Sequence, residues 1–299
     1  NMINKWCDKE IGKERMTEAD KAAILGRISF GDNLGTLNQS DVVVEALLVD
    51  QIVTGRDGVT VSFDGFLALR DLNLSLQPGE LRAVIGPNGA GKTTFLDVIT
   101  GKTAPTEGDV VFKGRSLVGT REHRIARFGI GRKFQSPRVF EKLSVQENLA
   151  LAVSQPKQPW SLLVGGLNGE QRDRVHHLMS IVNLQNRADW AAGSLSHGQK
   201  QWLEIAMLVG QDPDLLLVDE PVAGLTDEET DLTADLLKSL AGDHTVLVIE
   251  HDMEFIRRLE SPVTVLHQGH VLCEGTMDQV QADPRVIEVY LGTTEEENQ

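Results

Sequence analysis

The sequence is poor in cysteine and in long apolar runs. Cys7 and Cys273 are the two cysteines in 299 residues, without C-x-x-C spacing and too few for a disulfide framework, which suits a reducing cytoplasm. Apolar runs such as Leu215 to Val218 and Val42 to Val44 fall far short of the roughly 20 residues that a membrane span needs. We therefore expect any link to a membrane to come through a partner.

Positive charge is scarce relative to negative charge. The chain has 44 Asp and Glu against 29 Lys and Arg, for a formal net charge of −15. This balance repels phosphate backbones, and no basic face stands out, so we expect no nucleic-acid partner. Residues 1–41 mix acids and bases and lack the apolar core of an export signal, so we expect them to form a flexible N-terminal extension.

The glycine-rich stretch GPNGAGKTT carries the strongest chemical signal. Its G-x-x-x-x-G-K-T spacing follows a short apolar run, Arg82 to Ile85, that predicts a buried strand, and it precedes helical spacing from Phe95 to Ile99. Glycines let backbone N–H groups approach a phosphate at a helix N-terminus, while the lysine adds charge and the threonine hydroxyl suits Mg²⁺. The expected phosphate cradle consists of Gly86, Pro87, Asn88, Gly89, Ala90, Gly91, Lys92, Thr93 and Thr94.

Two later apolar runs end in polar side chains. The run LLLV predicts a buried parallel strand followed by Asp219 and Glu220, and the run TVLVI predicts another followed by Glu250 and His251. The carboxyl ends of such strands form the edge where ligands bind in open α/β sheets, so these side chains are expected near the phosphate loop. Of Asp219 and Glu220, one carboxylate can hold Mg²⁺ through water, and the other can orient or deprotonate an attacking water.

Three features admit two interpretations from the residues alone. Gln135 follows a predicted strand, where its amide is either solvated surface or a contact for Mg²⁺ or the attacking water. The rings of Phe63 and Phe66 either pack in the sheet, which the residues alone favour, or stack on an adenine. Either Ser194 or Ser196 caps the helix that follows them.

The order of elements predicts an α/β fold with a mostly parallel core sheet. Residues 42–77 place apolar runs between glycines and predict an antiparallel β layer. Residues of about 136–210 show helical spacing and predict a helical subdomain. A hairpin, VTVLHQGHVLCEGT, and short helices around Asp278 to Leu291 are expected to close the domain.

The chain resembles the nucleotide-binding domain of ABC ATPases, because it contains five of that domain's elements in the same order: GPNGAGKT, a loop glutamine, LSHGQ, LLLVDE and a strand-end histidine. The resemblance covers residues 42–292 and leaves an acidic tail at 293–299. The LSHGQ element is its specific part, because other phosphate-loop ATPases lack it. It implies a head-to-tail dimer in which the other subunit's ATP meets Ser196, His197, Gly198 and Gln199.

The resemblance implies ATP and Mg²⁺ as cofactors. Lys92 and the backbone of residues 86–93 would hold the phosphates, while Thr93 and Asp219 would serve Mg²⁺. Gln135 would sense both Mg²⁺ and the membrane partner.

The resemblance also implies catalytic roles and an adenine contact. Glu220 would be the general base, His251 would contact the γ-phosphate, and Gln135 would complete the catalytic set. Phe63 ranks ahead of Phe66 as the ring that stacks on adenine.

Within the family, three segments of the sequence are similar to importer ATPases for branched-chain amino acids and amides, most of all to the urea-importer type. These segments are FQSPRVFEKLSVQENLALA, SLSHGQKQWLEIAMLV and VIEHDM. This similarity implies a peripheral protein at the cytoplasmic face of the inner or plasma membrane that hydrolyses ATP to drive urea import. The implied partners are transmembrane permease subunits, a second ATPase subunit, and indirectly an external solute-binding protein. A related second subunit is favoured over a homodimer.

Other functions compete with urea import. The solute could instead be a branched-chain amino acid or another amide, or the chain could be a soluble, non-transport ABC ATPase acting on a protein or DNA partner. The acidic charge and the lack of a long coiled-coil insertion at 136–210 weigh against DNA. A regulatory module without turnover is disfavoured by the full set of Lys92, Asp219, Glu220 and His251.

The sequence departs from the general family pattern at three places. His197 stands where the general family has a second signature glycine, although histidine fits the urea-type subgroup. Thr226 stands where many members have an aspartate. The third departure is the pairing of the long N-terminal extension with a TGRDG insertion before Val59.

Overall fold

In a computed structural model of the chain, residues 52–54, 58–133, 138–154 and 167–291 are described. These residues fall within one compact unit, Leu48–Gln299. The N-terminal extension, Gln135, most of the TGRDG insertion and the acidic tail lie outside the described residues, so the predictions made for them stay predictions.

A six-stranded sheet forms the centre of the fold, in the order β12-β11-β5-β10-β9-β8. The strands from β11 to β8 pair in parallel, and β12 pairs antiparallel with β11 at one edge. This arrangement confirms the predicted α/β fold with its mostly parallel sheet. The strand bounds are β5 Leu81–Ile85, β8 Ile130–Lys133, β9 Leu215–Asp219, β10 Thr245–Ile249, β11 Val263–His267 and β12 His270–Gly275.

The predicted antiparallel layer is present as two smaller sheets. One contains four strands in the order β4-β1-β6-β7, and the other is a hairpin of β2 and β3. Glycine and polar turn residues interrupt the apolar runs, which keeps each strand short. The bounds are β1 Ile52–Thr54, β2 Val59–Phe63, β3 Phe66–Leu72, β4 Ser75–Leu76, β6 Val110–Phe112 and β7 Arg115–Ser116.

Helices cover the central sheet, and several begin at a reciprocal capping box between a polar N-cap and a Glu or Gln side chain three residues later. Ser196, not Ser194, is the N-cap of the helix that begins at His197 within the LSHGQ element. The helices are α1 Lys92–Ile99, α2 Glu122–Arg127, α3 Val145–Val153, α4 Gly169–Ile181, α5 His197–Gly210, α6 Asp227–Leu240, α7 Met253–Leu259, α8 Met277–Ala282 and α9 Pro284–Leu291. None of the described helices is long and apolar enough to cross a membrane.

Alternation along the buried strands builds a separate core on each sheet face. In β9, Leu216 and Val218 join the core that includes α5, whereas Leu215 and Leu217 join the core that includes α1. Both faces are therefore apolar, which is why this strand is an unbroken aliphatic run. In the described part of 136–210, α3, α4 and α5 pack against one another. That they form a separate helical subdomain stays a prediction.

The interpretation of Phe63 and Phe66 as core residues is wrong. Phe63 is 49% exposed and Phe66 is 65% exposed. They pair across the tip of the β2–β3 hairpin, where Asp64 and Gly65 both have positive φ, as tight hairpin turns require. The hairpin tip lifts both rings out of the core that the rest of the hairpin joins.

Candidate functional site

The glycine-rich loop joins the end of β5 to the start of α1. Gly91 is the N-cap of α1 and has a left-handed φ of 103°. A Cβ there would lie 2.7 Å from the carbonyl oxygen of Ala68 in β3. At Gly86, a Cβ would lie 2.3 Å from the carbonyl oxygen of Leu266 in β11. The loop therefore needs glycine at both positions, because the neighbouring backbone leaves no room for a side chain.

The start of α1 has the character of an anion site. Gly91 supplies no side-chain cap, so the first N–H groups of the helix have no partner within it. The Lys92 ammonium donates to the carbonyl oxygens of Gly86 at 2.6 Å and Pro87 at 3.1 Å. Partial burial lowers the pKa of Lys92, while the charges of Glu220 and Asp219 oppose that shift. A phosphate group fits this combination of amides and one lysine.

Asp219 is the last residue of β9 and is only 4% exposed. Its Oδ2 lies 3.5 Å from Nη2 of Arg132, whose Nη1 donates to Asp97 Oδ1 of α1 at 2.6 Å. Burial raises the pKa of Asp219, and the Arg132 charge opposes this. Arg132 thus connects the carboxylate of β9 to the helix that follows the phosphate loop.

The donor set fits a magnesium ion shared with a bound phosphate. No group of three or more His, Cys, Asp or Glu side chains in the described ranges could hold a metal. Mg²⁺ in nucleotide sites instead takes one or two protein oxygens together with phosphates and water. The Asp219 carboxylate and the Thr93 hydroxyl, at the start of α1, are oxygen donors of that kind.

Glu220 and His251 meet where β9 and β10 end. Nδ1 of His251 lies 3.7 Å from Oε1 of Glu220 and 3.5 Å from Oε2 of Glu250. The Glu220 and His251 side chains are 30% and 67% exposed. Glu220 has a φ of 47°, in the left-handed region, and its N–H donates to the carbonyl of Ile249 at 2.9 Å. The predicted strand-end residues therefore share one edge of the sheet.

Two buried charged residues at this edge received no role from the sequence. Glu250 is 1% exposed, and Lys133, beside Val218 at the end of β8, is fully buried. Burial lowers the pKa of Lys133, against the charges of Glu204 and Asp219. A charge at the end of a buried parallel strand is the signal that could have marked both residues, because such positions adjoin the ligand edge.

The signature turn at the start of α5 is bound to its own chain. Ser196 Oγ accepts from Gln199 N–H at 3.2 Å, and Gln199 Oε1 accepts from Ser196 N–H at 3.1 Å. The Ser196 hydroxyl also lies 3.3 Å from Glu229 Oε1, as donor. His197 is exposed, with Nε2 2.8 Å from Gln201 Nε2, while Gly198 is buried against Glu229. No hydrogen bond or ion pair in the described ranges joins this turn to the phosphate loop.

Thr226, at the unusual position noted above, is the N-cap of α6. Its Oγ1 accepts from Glu229 N–H at 3.2 Å, and Glu229 Oε2 accepts from Thr226 N–H at 3.2 Å. An aspartate could cap the helix in the same manner. Glu229 therefore connects the start of α6 to the signature turn.

The β2–β3 hairpin adjoins the phosphate loop. Its strand β3 contacts the loop at Gly91, and Arg70 N–H donates to the carbonyl of Gly269 at 2.8 Å. The exposed rings of Phe63 and Phe66 stand at the tip of this hairpin.

Comparison with known proteins identifies relatives along most of the chain. A profile of the ABC transporter family matches residues 69–223, and one of branched-chain amino acid ATP-binding cassette transporters matches residues 270–296. The chain is 37% identical to the high-affinity branched-chain amino acid transport ATP-binding protein BraF of Pseudomonas aeruginosa over 246 residues, 79% of this chain and 96% of that protein. It is also 37% identical to LivG of Escherichia coli, with the corresponding function in its name, over 255 residues, 82% of this chain and 99% of LivG.

A solved structure of an ATP-binding cassette from an ABC transporter, in its ADP conformation, has a similar fold. The TM-score is 0.67 at 25% identity, and the match covers 81% of this chain and 98% of that one.

Proposed function

We propose that this chain, which belongs to the ABC transporter family as an ATP-binding subunit of the branched-chain amino acid importer type, powers a urea importer. Subunits of this family hydrolyse ATP to power transport, and this chain is such an ATP hydrolase. The observation that carries the proposed mechanism is the convergence of Lys92, Asp219, Glu220 and His251 near one sheet edge.

In this proposal each side chain at the edge has a distinct task. The phosphate loop with Lys92 holds the phosphates, Glu220 takes the proton of the attacking water, and His251 contacts the γ-phosphate. Thr93 and Asp219 hold Mg²⁺, which neutralises phosphate charge when bound. Gln135 senses Mg²⁺ and the membrane partner and completes the proposed catalytic set. Phe63 stacks on adenine, and the exposure of its ring suits stacking.

The proposed motor contains a second ATPase subunit. The signature residues Ser196 to Gln199 then meet the ATP of that subunit, and a related chain is favoured over a second copy. Support comes from the signature turn, whose Ser196 and His197 are exposed and whose contacts lie with α6 rather than with its own phosphate loop.

The proposed place of the motor is peripheral, at the cytoplasmic face of the membrane. Transmembrane permease subunits carry the solute, and a separate binding protein outside the membrane delivers it. The names of BraF and LivG support such an assembly, because each is the ATP-binding protein of a transport system.

The solute is urea in this proposal, with a branched-chain amino acid as the second candidate. Urea is supported by the exposed His197 of the LSHGQ element, which fits the urea-type subgroup, and by the similarity of the flanking sequence to that subgroup. The names of BraF and LivG favour the second candidate.

Purification and reconstitution of the chain with its partners tests the proposal. We expect a permease to co-purify from detergent extract, and urea, rather than leucine, to stimulate ATP hydrolysis by the reconstituted transporter with its binding protein. Stimulation by leucine alone would replace urea with the second candidate. Recovery of a soluble partner in place of a permease would contradict the transport assignment.

A further inference from the structure

We infer that Glu250 is a positioning residue for ATP hydrolysis, whose carboxylate sets the spacing between the segments that carry Glu220 and His251. The inference rests on the proposed roles of those two side chains. Glu250 itself is buried below them and would not touch the nucleotide.

One carboxylate joins the loops that follow two neighbouring strands. Oε1 of Glu250 accepts from the N–H of Val222, in the loop after β9, at 3.3 Å. Oε2 accepts from the N–H of His251 at 2.8 Å and of Asp252 at 3.4 Å, in the loop after β10. Removing this side chain would leave the N–H of Val222 buried without its acceptor and would separate the two loops.

The backbone at Glu220 needs such support. A residue with a Cβ is unfavourable in the left-handed region and stays there only where its surroundings hold it. The carbonyl of Ile249 holds the N–H of Glu220, and Glu250 holds the N–H of Val222 two residues later. Both restraints come from the end of β10, so this strand determines where the Glu220 carboxylate points.

The imidazole of His251 lies close to the same group. Its Nδ1 lies between Oε2 of Glu250 and Oε1 of Glu220, and its backbone N–H is bound to Glu250. Burial raises the pKa of Glu250, while its three backbone donors oppose that shift. The side chain thus acts on both proposed catalytic residues at once.

Steady-state kinetics of Glu250→Ala and Glu250→Gln, in the full-length chain assembled with its transporter, test the inference. For Glu250→Ala we expect kcat to fall about 100-fold, since displacing a reacting group by ~1 Å costs that much, while KM for ATP stays unchanged. Glu250→Gln should lose less, because its amide oxygen can still accept from His251. Hydrogen exchange without ATP should accelerate in peptides that contain Val222 and His251.

Thr276→Ala is the matched control for lost stability. It removes the capping box of α8, where Thr276 Oγ1 accepts from Gln279 N–H at 3.3 Å, in a helix that contributes nothing to the site. We expect a lower melting temperature with unchanged kcat. If Glu250→Ala fails to fold, the kinetics and exchange of Glu250→Gln decide the inference.

The outcomes separate this inference from the proposed function. Unchanged kcat in the Glu250 variants, with hydrolysis abolished in Glu220→Gln, would overturn the inference and leave the function intact. Normal turnover in Glu220→Gln would instead remove the proposed base. A fall in kcat no larger than that of a Thr276→Ala chain measured at the same distance below its melting temperature would also overturn the inference.

Discussion

The N-termini of α1 and α5 differ in what they do with their backbone N–H groups. The first follows glycines and has no side-chain cap. The second is closed by the reciprocal bonds of Ser196 and Gln199 and by the contact with Glu229. A helix start that lacks a cap offers its first amides to an anion, whereas the capping box of α5 occupies the N–H groups of Ser196 and Gln199.

This difference separates a binding site from a contact surface. The start of α1 can hold a phosphate with groups of this chain alone. The start of α5 is held by its capping box and exposes Ser196 and His197, so it is suited to complete the proposed ATP site of another subunit. Four substitutions test this contrast.

Glu220→Gln should nearly abolish ATP hydrolysis at the site next to the start of α1 while sparing ATP binding. Loss of a general base typically costs about 10²–10⁴-fold in rate, and glutamine keeps the size of the side chain. Measured kcat should fall in that range with the Kd for ATP unchanged. Glu228→Gln, on the exposed first turn of α6, is the control and should keep wild-type kcat. Unchanged turnover in Glu220→Gln would remove this residue from the base role.

Ser196→Arg should block the opposite ATP site. The exposed turn would carry a bulky cation toward the other subunit's nucleotide, while this chain's own phosphate loop stays intact. In a transporter in which one of two ATPase subunits carries the substitution, hydrolysis should fall below half of the wild-type rate. Ser194→Arg, two residues upstream and not a cap, is the control. Activity equal to the simple sum of independent subunits would contradict the composite site.

Lys92→Ala should weaken ATP binding at the start of α1. A hydrogen bond to a charged group contributes about 1.5–3 kcal/mol, which corresponds to a Kd about 10- to 100-fold higher. Calorimetric titration with ATP measures the change. Lys102→Ala, three residues beyond the end of α1 and paired with Asp97 at 3.1 Å, should leave the Kd unaltered. An equal loss in both variants would point to general charge rather than to the cradle.

A third helix start, before α9, offers the smallest effect. Its Asp283 accepts hydrogen bonds from the Arg285 side chain, which lower the pKa of that carboxyl from 3.8 to about 2. Because the folded pKa lies below the unfolded one, the stabilisation is present above 3.8 and disappears as the pH falls through about 2. Asp283→Asn should lower the melting temperature slightly at pH 6, and the difference should vanish near pH 2. A constant difference across this range would exclude the ionised carboxylate as its source.

The fold followed from local patterns wherever those patterns agreed with one another. The unbroken aliphatic run of β9 predicted burial on both faces, and the two cores on either side of it confirm that prediction. The β11–β12 hairpin lies in the predicted stretch VTVLHQGHVLCEGT, and Gln268 and Gly269 at its turn both have the positive φ that a tight turn uses. Phe63 was less certain, because an aromatic residue in a strand packs or projects according to what covers it.

Spacing within a few residues was enough to predict the strand–loop–helix around Lys92 and the order of the polar strand ends, but it left the cap of α5 open between Ser194 and Ser196. The position of β10 between β5 and β9 is a property of the folded sheet. That placement brings Glu250 within reach of Val222, which is 28 residues away along the chain, and His251 within reach of Glu220. Side chains at strand ends acquire their partners from the strand order of the sheet, and no local periodicity specifies that order.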